Sequence, residues 1–368
     1  MKVTVTGATG FLGAHVARLL VERGDEVRVV YRDPDKLDML RGIDFKRTKA
    51  DVLDFDAMRK AVRGSDVLLH TAGYVGSSPA EIVWNMNARA PRIAVEAAAA
   101  ESVGRVVVTS TISAIGTADN GPATEETEYP ENWLGLLYPD SKRQGERDAL
   151  EAGARLGIET VAVNPAYVLG VPVDRSQPGE NSTRLVGSYL RARLPAVIDA
   201  PMSFVDVEDV AAGHLLAAEH GRPGERYILG AENSTWPQLV ERLAELTGIH
   251  RPVLVLPGEV AVAARVREAL TLPGLLSAQG YELMAQDWRF SSAKAERELG
   301  YTARPLDETL LATADWYLEL IEAGAFEEEE GSPLATLSSA VRLARRLRLL
   351  TGLRAAEAVT RRKLVAGL

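Results

Sequence analysis

The stretch Thr6-Gly7-Ala8-Thr9-Gly10-Phe11-Leu12-Gly13 joins a short β-branched run, residues 3–6, to an amphipathic pattern over residues 11–23. Glycine lacks a Cβ atom, which lets such a turn tighten and lets a diphosphate approach the backbone closely. A helix that starts here offers free N–H groups and the positive end of its dipole to an anion. Because the three glycines stand where a strand passes into a helix, the stretch predicts a phosphate-binding turn rather than a purely structural one.

The same alternation of strand and helix continues through the first half of the chain. Residues 26–31, 66–70 and 105–109 are apolar runs of strand length, and residues 80–102 have helical spacing. Alternation of this kind implies right-handed crossovers and a parallel sheet with helices on both faces. We therefore predict an α/β protein with a Rossmann-type doubly wound parallel sheet.

The pattern loosens after Pro165, where several prolines punctuate the chain. Residues 204–207 and 226–229 have the composition of short strands, and residues 234–247 that of a helix capped by Ser234 or Thr235. An acidic run at 327–330 precedes Gly331-Ser332-Pro333 and indicates a linker. We predict a dinucleotide-binding domain at 1–165, a smaller and mainly substrate-binding part at 166–326 with some segments returning to the Rossmann sheet, and an acidic linker with a helical tail at 327–368.

The composition of the whole chain excludes several classes of function. Of its 368 residues 46% are apolar and 25% charged, as in ordinary globular proteins, and the net charge of -9 argues against nucleic-acid binding. The absence of cysteine removes disulfides, cysteine-zinc sites, iron-sulfur ligation and thiolate catalysis, and we predict no metal site. The sequence shows neither a signal peptide nor an apolar run of spanning length, so we expect a soluble cytoplasmic enzyme.

The residues after the second predicted strand bear on the choice of cofactor. A site for NAD usually has an acidic residue here to hold the ribose 2′-hydroxyl, whereas this strand ends in Tyr31-Arg32. Arg32 suits a 2′-phosphate by charge and bidentate pairing, the alternative being a solvated surface charge. Asp33 follows directly, so a shift of one residue would favour NAD. We predict NADP as the preferred cofactor, and we interpret Asp51, after the third strand, as an adenine ligand or a helix cap.

A tyrosine and a lysine are the candidates for proton transfer. Tyr138 and Lys142 stand four residues apart at the start of a helical stretch, so their side chains share one face. A phenol has a pKa of about 10 in water, and a nearby ammonium lowers that pKa, so Tyr138 can exchange a proton with a substrate oxygen. The strand before them ends in Ser110-Thr111, beyond the carboxyl edge where open α/β sheets bind ligands. A hydroxyl there can bind the substrate oxygen, although Ser and Thr also end strands without any further role.

Together these motifs resemble the extended short-chain dehydrogenase/reductases, also called the NAD-dependent epimerase/dehydratase family, over roughly residues 1–320. The resemblance implies that Thr111, five residues before Gly116, is the catalytic hydroxyl. It also implies that Asn87 supports a lysine-linked proton relay, and that residues 164–170 lie along the nicotinamide. The cofactor-binding residues implied are Gly7, Thr9, Gly10, Phe11, Leu12, Gly13, Arg32, Asp51, Val52, Thr71, Ala72, Gly73, Tyr138, Lys142, Pro165 and Val168.

Two branches of the family are most similar to this sequence. Residues 27–34 are similar to the dihydroflavonol reductase branch, in which the arginine after the strand serves NADP. Residues 204–214, 225–233 and 289–295 are similar to bacterial proteins called hopanoid-associated sugar epimerases. The chain departs from the family pattern at Thr111, where serine is more frequent, and at Gly73 and Tyr74, which bear on the shape of the nearby pocket.

Three functions are compatible with these motifs. The first is an NAD(P)-dependent reductase or dehydrogenase acting on a ketone, aldehyde or secondary alcohol, which the Arg32 interpretation favours. The second is a nucleotide-sugar epimerase or dehydratase with tightly bound NAD, for which Arg184, Arg191 and Arg193 could hold a diphosphate, unless they form a solvated helix face. The third, a binding protein with an inactive site, is disfavoured by the intact catalytic residues. Tyr74, Val75, Thr111, Tyr167, Tyr189 and Phe204 are the candidate substrate-binding residues, although all except Thr111 could equally be core.

The tail and the oligomeric state carry separate predictions. Leu337, Val341, Ala344 and Leu347 recur at helical spacing with arginines on another face. Such a basic amphipathic helix could contact a membrane surface, but packing on the protein body or on a partner subunit is the favoured alternative. The family resemblance implies a homodimer.

Overall fold

The computed structural model describes residues 1–76, 78–129, 135–178, 182–258 and 278–326, together with 339–341, 343, 357 and 362–367. Seven strands of the described chain form one parallel sheet: β1 Lys2–Thr6, β2 Glu26–Tyr31, β3 Lys46–Lys49, β4 Val67–His70, β5 Arg105–Thr109, β6 Glu159–Pro165 and β10 Arg226–Leu229. Their order across the sheet is β10-β6-β5-β4-β1-β2-β3, and each neighbouring pair is parallel. The predicted Rossmann-type sheet is therefore confirmed.

The strand order reverses between β1 and β4, because the chain first moves outward through β2 and β3 and then returns to build the other half. In open α/β sheets the crevice beyond the carboxyl ends of the strands at such a reversal is where ligands bind. The register pairs Thr6 with His70, so the turn after β1 and the segment after β4 emerge side by side.

Both faces of the sheet are buried. On β5, Val107 belongs to one apolar cluster, whereas Val106 and Val108 belong to the cluster on the opposite face. Successive residues of a strand point to opposite faces, so a strand covered by helices on both sides is apolar throughout. Hydrophobic burial on both faces thus explains why these runs are nearly continuous in the sequence.

Helices α1 Phe11–Glu22, α2 Phe55–Val62, α3 Ala80–Trp84, α4 Ala90–Ala100 and α5 Leu137–Leu156 connect or flank the strands of the first part. A 3₁₀ helix at Pro34–Leu40 follows β2, and a short one at Ile112–Ala114 follows β5. The helical stretch predicted over residues 80–102 is present from residue 80 to residue 100, with one irregularity. A π-helical turn, Asn85–Arg89, separates α3 from α4 and contains Asn87.

The chain after β6 adds two small sheets. In the first, β9 Pro201–Asp206 lies between β7 Tyr167–Leu169, to which it is parallel, and β11 Glu232–Thr235, to which it is antiparallel. In the second, β12 Val253–Pro257 pairs in parallel with β8 Ala196–Asp199. The helices of this part are α6 Arg184–Leu190, α7 Val207–His220, α8 Trp236–Thr247, α9 Ala278–Met284, α10 Ala293–Leu299 and α11 Leu306–Glu322. Thr235 caps α8 in a capping box with Gln238, which settles the choice between the two predicted caps.

The end of the tail is a strand rather than the predicted helix. Residues Val365–Ala366 form β13, which pairs antiparallel with β12, and both side chains are buried. The backbone N–H groups of Leu364 and Val365 donate to the Glu357 carboxylate, 2.7 and 2.9 Å away. Residues 339–341, 343 and 357 are helical, whereas the acidic run 327–330 and Leu337, Ala344 and Leu347 lie outside the described residues. No helix within the described ranges has both the length and the apolarity needed to cross a bilayer.

Candidate active site

The glycine turn between β1 and α1 is packed against the segment that follows β4. Gly7 has φ of 73°, and a Cβ atom there would lie 2.6 Å from the backbone nitrogen of Ala72. A Cβ at Gly13 would lie 2.2 Å from the carbonyl oxygen of Gly7 and 2.6 Å from Thr71 Oγ1. Thr71 in turn donates through its hydroxyl to the carbonyl oxygen of Thr6 at 2.6 Å. Only glycine fits these two positions, because relief of either contact would require the backbone to move.

The turn ends in a helix that begins without a side-chain cap. Gly10 is the N-cap of α1, and its N–H donates to the Gly7 carbonyl at 2.9 Å. The first N–H groups of an α-helix have no partner within the helix, so an uncapped start presents them to a ligand. Thr9, Phe11 and Leu12, predicted to bind the cofactor, lie in this turn and the first helical turn, where Phe11 contacts the His15 ring edge to face. The cradle fits a dinucleotide diphosphate.

Arg32 and Asp33, the two residues considered as ligands of the cofactor ribose, lie in different environments after β2. The Asp33 carboxylate caps the 3₁₀ helix by accepting from the N–H of Asp35 at 3.1 Å, whereas Arg32 is exposed. Asp51 accepts from the N–H of Leu53 at 2.9 Å. The helix-cap interpretation of Asp51 is wrong, because α2 is capped by Asp54.

Tyr138 lies in the first turn of α5 and is partly buried. The Thr111 side chain lies near enough to this phenol to lower its pKa. Thr111 stands just beyond β5, where its hydroxyl oxygen accepts from the N–H of Ser113 at 3.3 Å and so begins the short 3₁₀ helix. The turn after one strand and the start of one helix therefore bring the two predicted hydroxyls together.

Burial raises the pKa of Tyr138 to about 12, and the Thr111 side chain partly opposes this rise. The direction differs from the sequence expectation, in which the ammonium of Lys142 lowers the phenol pKa. The reason is that removal of the phenol from water disfavours its anion. At neutral pH Tyr138 consequently carries its proton.

Lys142 lies one helical turn after Tyr138, and its side chain is 7% exposed. The ammonium donates to the Thr109 carbonyl oxygen at 3.2 Å. A Cβ at Gly73 would lie 2.8 Å from Lys142 Nζ, so glycine at this position leaves room for the lysine. Burial lowers the pKa of Lys142 to about 8, an effect opposed by the carboxylate of Glu146. The ammonium stays mostly charged at pH 7.

Asn87 occupies the π-helical turn and is 1% exposed. It forms two hydrogen bonds of 2.9 Å with the backbone of Tyr74, accepting from its N–H and donating to its carbonyl oxygen. Its amide also donates to Ser141 Oγ at 3.3 Å, and its Oδ1 lies near the space beside Lys142 Nζ. π-Helical turns are frequently found at functional sites, and this one fixes the segment after β4 against α5.

A buried histidine orients the residue that holds Lys142. His214 Nδ1 lies 2.8 Å from the Val210 carbonyl oxygen, so this nitrogen must carry the proton. His214 Nε2 then accepts from the Thr109 hydroxyl at 2.8 Å. Burial lowers the pKa of His214 to about 4, which keeps the ring neutral and the arrangement fixed.

The candidate substrate residues divide into two groups. Tyr74, Tyr167 and Val75 keep some exposure, Val75 as much as 86%, and the phenol of Tyr167 donates to the Ser182 carbonyl oxygen at 3.0 Å. Phe204 and Tyr189 are each 0% exposed and belong to the core. Of the two interpretations left open for these residues, pocket or core, their complete burial agrees with core.

Three further residues predicted to bind the cofactor, Val52, Pro165 and Val168, lie in a strand or just beyond one. Val52 is buried beside the turn after β3, and Pro165 ends β6. The backbone carbonyl of Val168, in β7, accepts from the Ser182 hydroxyl. Arg191, considered for a diphosphate, has its guanidinium 4.0 Å from the centre of the Phe326 ring, while Arg184 is exposed.

Sequence reasoning gave no individual role to several polar residues behind the catalytic side chains. Asn164 donates to the Thr111 carbonyl oxygen at 3.0 Å and to Glu146 at 2.7 Å. His70 Nδ1 lies 2.9 Å from Thr6 Oγ1, and burial lowers the pKa of His70 to about 3. Glu146 continues the four-residue spacing of Tyr138 and Lys142, and that spacing is the one sequence signal that could have identified it.

Comparison with known proteins identifies the family of the chain. A model of the NAD dependent epimerase/dehydratase family matches residues 3–230. A putative dihydroflavonol 4-reductase of Synechocystis is 30% identical over 326 residues, which are 85% of this chain and 93% of that protein. Sterol demethylase protein B of Methylococcus capsulatus is 30% identical over 332 residues, 87% of this chain and 99% of that protein. The crystal structure of gox2253 superposes with a TM-score of 0.76 at 27% identity, covering 88% of this chain and 99% of its own.

The chain belongs to the NAD-dependent epimerase/dehydratase family, the extended short-chain dehydrogenase/reductases, as its motifs predicted. It is an NAD(P)-dependent oxidoreductase of this family, and its cofactor is a nicotinamide dinucleotide.

Proposed function

We propose that this protein is an NADP-dependent reductase that converts a ketone or aldehyde to an alcohol, with Tyr138 as the proton donor. The observation that carries the proposal is a neutral phenol, its pKa raised to about 12, near the Thr111 side chain and one helical turn before the ammonium of Lys142. A carbonyl reductase needs a protonated acid at the moment its substrate oxygen gains negative charge. The three groups occupy the carboxyl edge of the sheet next to the glycine turn.

The chemistry of the proposed step divides between cofactor and protein. When bound, the reduced nicotinamide supplies hydride to the carbonyl carbon. The phenol of Tyr138 gives its proton to the carbonyl oxygen, and Thr111 stabilises the resulting phenolate through its hydroxyl. The Lys142 ammonium, held by the Thr109 carbonyl, lies close enough in the helix to stabilise the same negative charge. One proton and one hydride are thus consumed for each alcohol formed, and an alcohol is oxidised by the reverse of these steps.

The preference for NADP rests on the different environments of Arg32 and Asp33. The Asp33 carboxylate is already bound to a backbone N–H as a helix cap, whereas the guanidinium of Arg32 is exposed at the end of β2. An exposed arginine can pair with the 2′-phosphate of NADP in bidentate fashion. The glycine turn would hold the diphosphate, and Asp51 and Val52 the adenine end.

The substrate is proposed to be a small carbonyl compound that enters between the sheet edge and the part at 166–326. Tyr74, Val75 and Tyr167 are the residues that we propose to contact it, because they keep exposed surface near Asn87 or β7. The relatives carry the names putative dihydroflavonol 4-reductase and sterol demethylase protein B, and the first of these names favours a carbonyl or alcohol substrate. We also propose a homodimer, as the family resemblance implies.

The proposal is tested by the behaviour of the cofactor. Purified protein is expected to bind NADPH reversibly, more tightly than NADH as followed by tryptophan fluorescence, and to oxidise NADPH when ketones or aldehydes are supplied. The alternative, a nucleotide-sugar epimerase or dehydratase, would retain NAD through gel filtration and would turn over nucleotide sugars without net oxidation of added NADPH. Retained NAD together with an absence of NADPH oxidation across a panel of carbonyl compounds would overturn the reductase proposal.

A further inference from the structure

The buried carboxylate of Glu146 takes no part in the steps described above. Tyr138, Lys142 and Glu146 stand at successive intervals of four residues on α5, so they form one stripe along the helix. Glu146 is 6% exposed, and a charged carboxylate is rarely so deeply buried unless it is paired. Its partners therefore indicate what it does.

The first partner is Asn164 on β6. The amide nitrogen of Asn164 donates to Glu146 Oε2 at 2.7 Å and to the Thr111 carbonyl oxygen at 3.0 Å. The Glu146 carboxylate and the Thr111 carbonyl are both acceptors, so only the amide nitrogen of Asn164 can face them. These two bonds therefore fix the orientation of the Asn164 amide. Glu146 is consequently linked through one side chain to the turn that carries the Thr111 hydroxyl.

The second partner is Arg226 on β10, the strand at the edge of the sheet. Its Nη1 lies 3.3 Å from Glu146 Oε1, and its Nε donates to the Glu125 carbonyl oxygen at 2.9 Å. The arginine therefore joins the carboxylate to the loop that leads toward α5. A buried ion pair with satisfied hydrogen bonds on both sides holds its partners in one arrangement.

The charges around Glu146 come from two elements. Lys142 and Arg143 lie on its own helix and Arg226 on β10, and each interacts electrostatically with the carboxylate. Lys142 also faces the ring of His70 on β4, which is neutral at pH 7 because burial lowers its pKa to about 3. Lys142 thus has a carboxylate on one side and only uncharged groups, including Asn87, on the others.

We infer that Glu146 is a positioning residue of the active site: it fixes the Thr111 turn through Asn164 and keeps the Lys142 ammonium charged within a buried environment. The inference deepens the reductase proposal and rests on it for its catalytic meaning. Without the carboxylate, burial would act on Lys142 unopposed, so the ammonium would lose its proton at a lower pH. Proton transfer by Tyr138 would then fail at a lower pH as well.

The test uses Glu146→Gln in the full-length protein, with Asp148→Asn as the matched control. Glutamine keeps the shape and still accepts from Asn164, while Asp148 lies on the same helix and accepts from Gln144 at 2.7 Å. In Glu146→Gln we expect the pH at which kcat declines on the alkaline side to fall by at least about half a unit. A nearby opposite charge shifts a pKa by roughly one unit or more, and here the Glu146 carboxylate also interacts with Arg226. The KM for NADPH should stay within about twofold, and Asp148→Asn should keep the wild-type profile.

A second readout needs no turnover and separates this inference from the proposed function. The chain has eight lysines, so the ¹³Cε signal of Lys142 can be followed by NMR during a pH titration of the cofactor-free protein. We expect the Lys142 titration midpoint to fall in Glu146→Gln and to stay in place in Asp148→Asn. An unchanged midpoint in Glu146→Gln would overturn the inference even if the reductase proposal holds.

A third variant keeps the test decisive if Glu146→Gln does not fold. Glu146→Asp preserves the charge but withdraws the carboxylate from Asn164 by one methylene group. We expect the pH profile to resemble that of the wild type and kcat to fall by about tenfold, because the Thr111 turn loses its support. A wild-type kcat in Glu146→Asp would contradict the link from Glu146 to Thr111.

Discussion

Replacement of Gly13 by alanine is the sharpest structural test of the cofactor cradle. In the interior of an ordinary helix Gly→Ala stabilises a protein by up to about 1 kcal/mol. Here the new Cβ would lie 2.2 Å from the Gly7 carbonyl oxygen, and ordinary contact begins at 3.4 Å, so the glycine turn and α1 must separate by about 1.2 Å (3.4 minus 2.2). Overpacking of this kind costs about 1–3 kcal/mol.

The backbone displaced by the new Cβ is the glycine turn, which would hold the diphosphate. We therefore expect Gly13→Ala to weaken cofactor binding more than it lowers the stability of the fold. A cost of about 1.4 kcal/mol corresponds to a tenfold increase in Kd, and we predict that the Kd of Gly13→Ala for NADPH rises at least tenfold. Calorimetric titration measures the Kd, and urea unfolding measures the stability of the same variant.

Gly24→Ala is the matched control at the other end of α1. Gly24 has φ of 91° with open space where a Cβ would be, so the substitution strains the backbone without touching the glycine turn. We expect a loss of about 1–2 kcal/mol in unfolding free energy and an unchanged Kd. Unaltered NADPH binding by Gly13→Ala, with the fold intact, would refute the assignment of this turn to the diphosphate.

Four further predictions follow from the geometry of the site. Turnover should decline above about pH 8, where Lys142 loses its proton, and a profile flat to pH 10 would contradict its role. Thr111→Val should lower kcat by about a hundredfold while Thr111→Ser stays within about threefold, as measured by NADPH oxidation, because only the hydroxyl is needed. Arg32→Gln should raise the Kd for NADPH by about tenfold or more through loss of a charge-assisted contact and leave that for NADH unchanged, as measured by fluorescence titration. His15 and His214 have pKa values lowered from 6.5 to about 4 by burial, so the folded state binds protons more weakly than the unfolded state. As the pH is lowered from 6.5 to 4, the free energy of unfolding measured in urea should therefore decrease by about 1.4 kcal/mol per pH unit for each histidine.

The features that could be predicted from the sequence are those with a local signal. The glycine turn, the strands of the first half and the spacing of Tyr138 and Lys142 depend on residues within one element or at its ends. The π-helical turn at Asn87 left no such signal, because one extra residue in a turn hardly alters the apolar periodicity of residues 80–102. For Phe204 and Tyr189 the sequence left pocket and core equally open, because an aromatic residue in the core and one in a crevice look alike in a sequence.

Other features depend on pairs of residues that are distant along the chain. Glu146 meets Asn164 and Arg226, 18 and 80 residues further on, and nothing in either segment alone predicts the contact. The strand at Val365–Ala366 pairs with β12, more than a hundred residues earlier, and neither segment alone predicts this pairing. The raised pKa of Tyr138 likewise depends on how completely the surrounding elements exclude water.

A comparison of Tyr138→Phe with Tyr129→Phe tests the central claim most directly. The second variant also removes one phenol hydroxyl close to α5, since Tyr129 donates to Asp140, but it spares the proposed proton donor. With NADPH and a carbonyl substrate, Tyr138→Phe should lose at least about a hundredfold in kcat, the usual size of general-acid catalysis, and its Kd for NADPH should stay within about threefold of the wild-type value. Tyr129→Phe should retain most of the activity, whereas wild-type turnover by Tyr138→Phe would contradict the account.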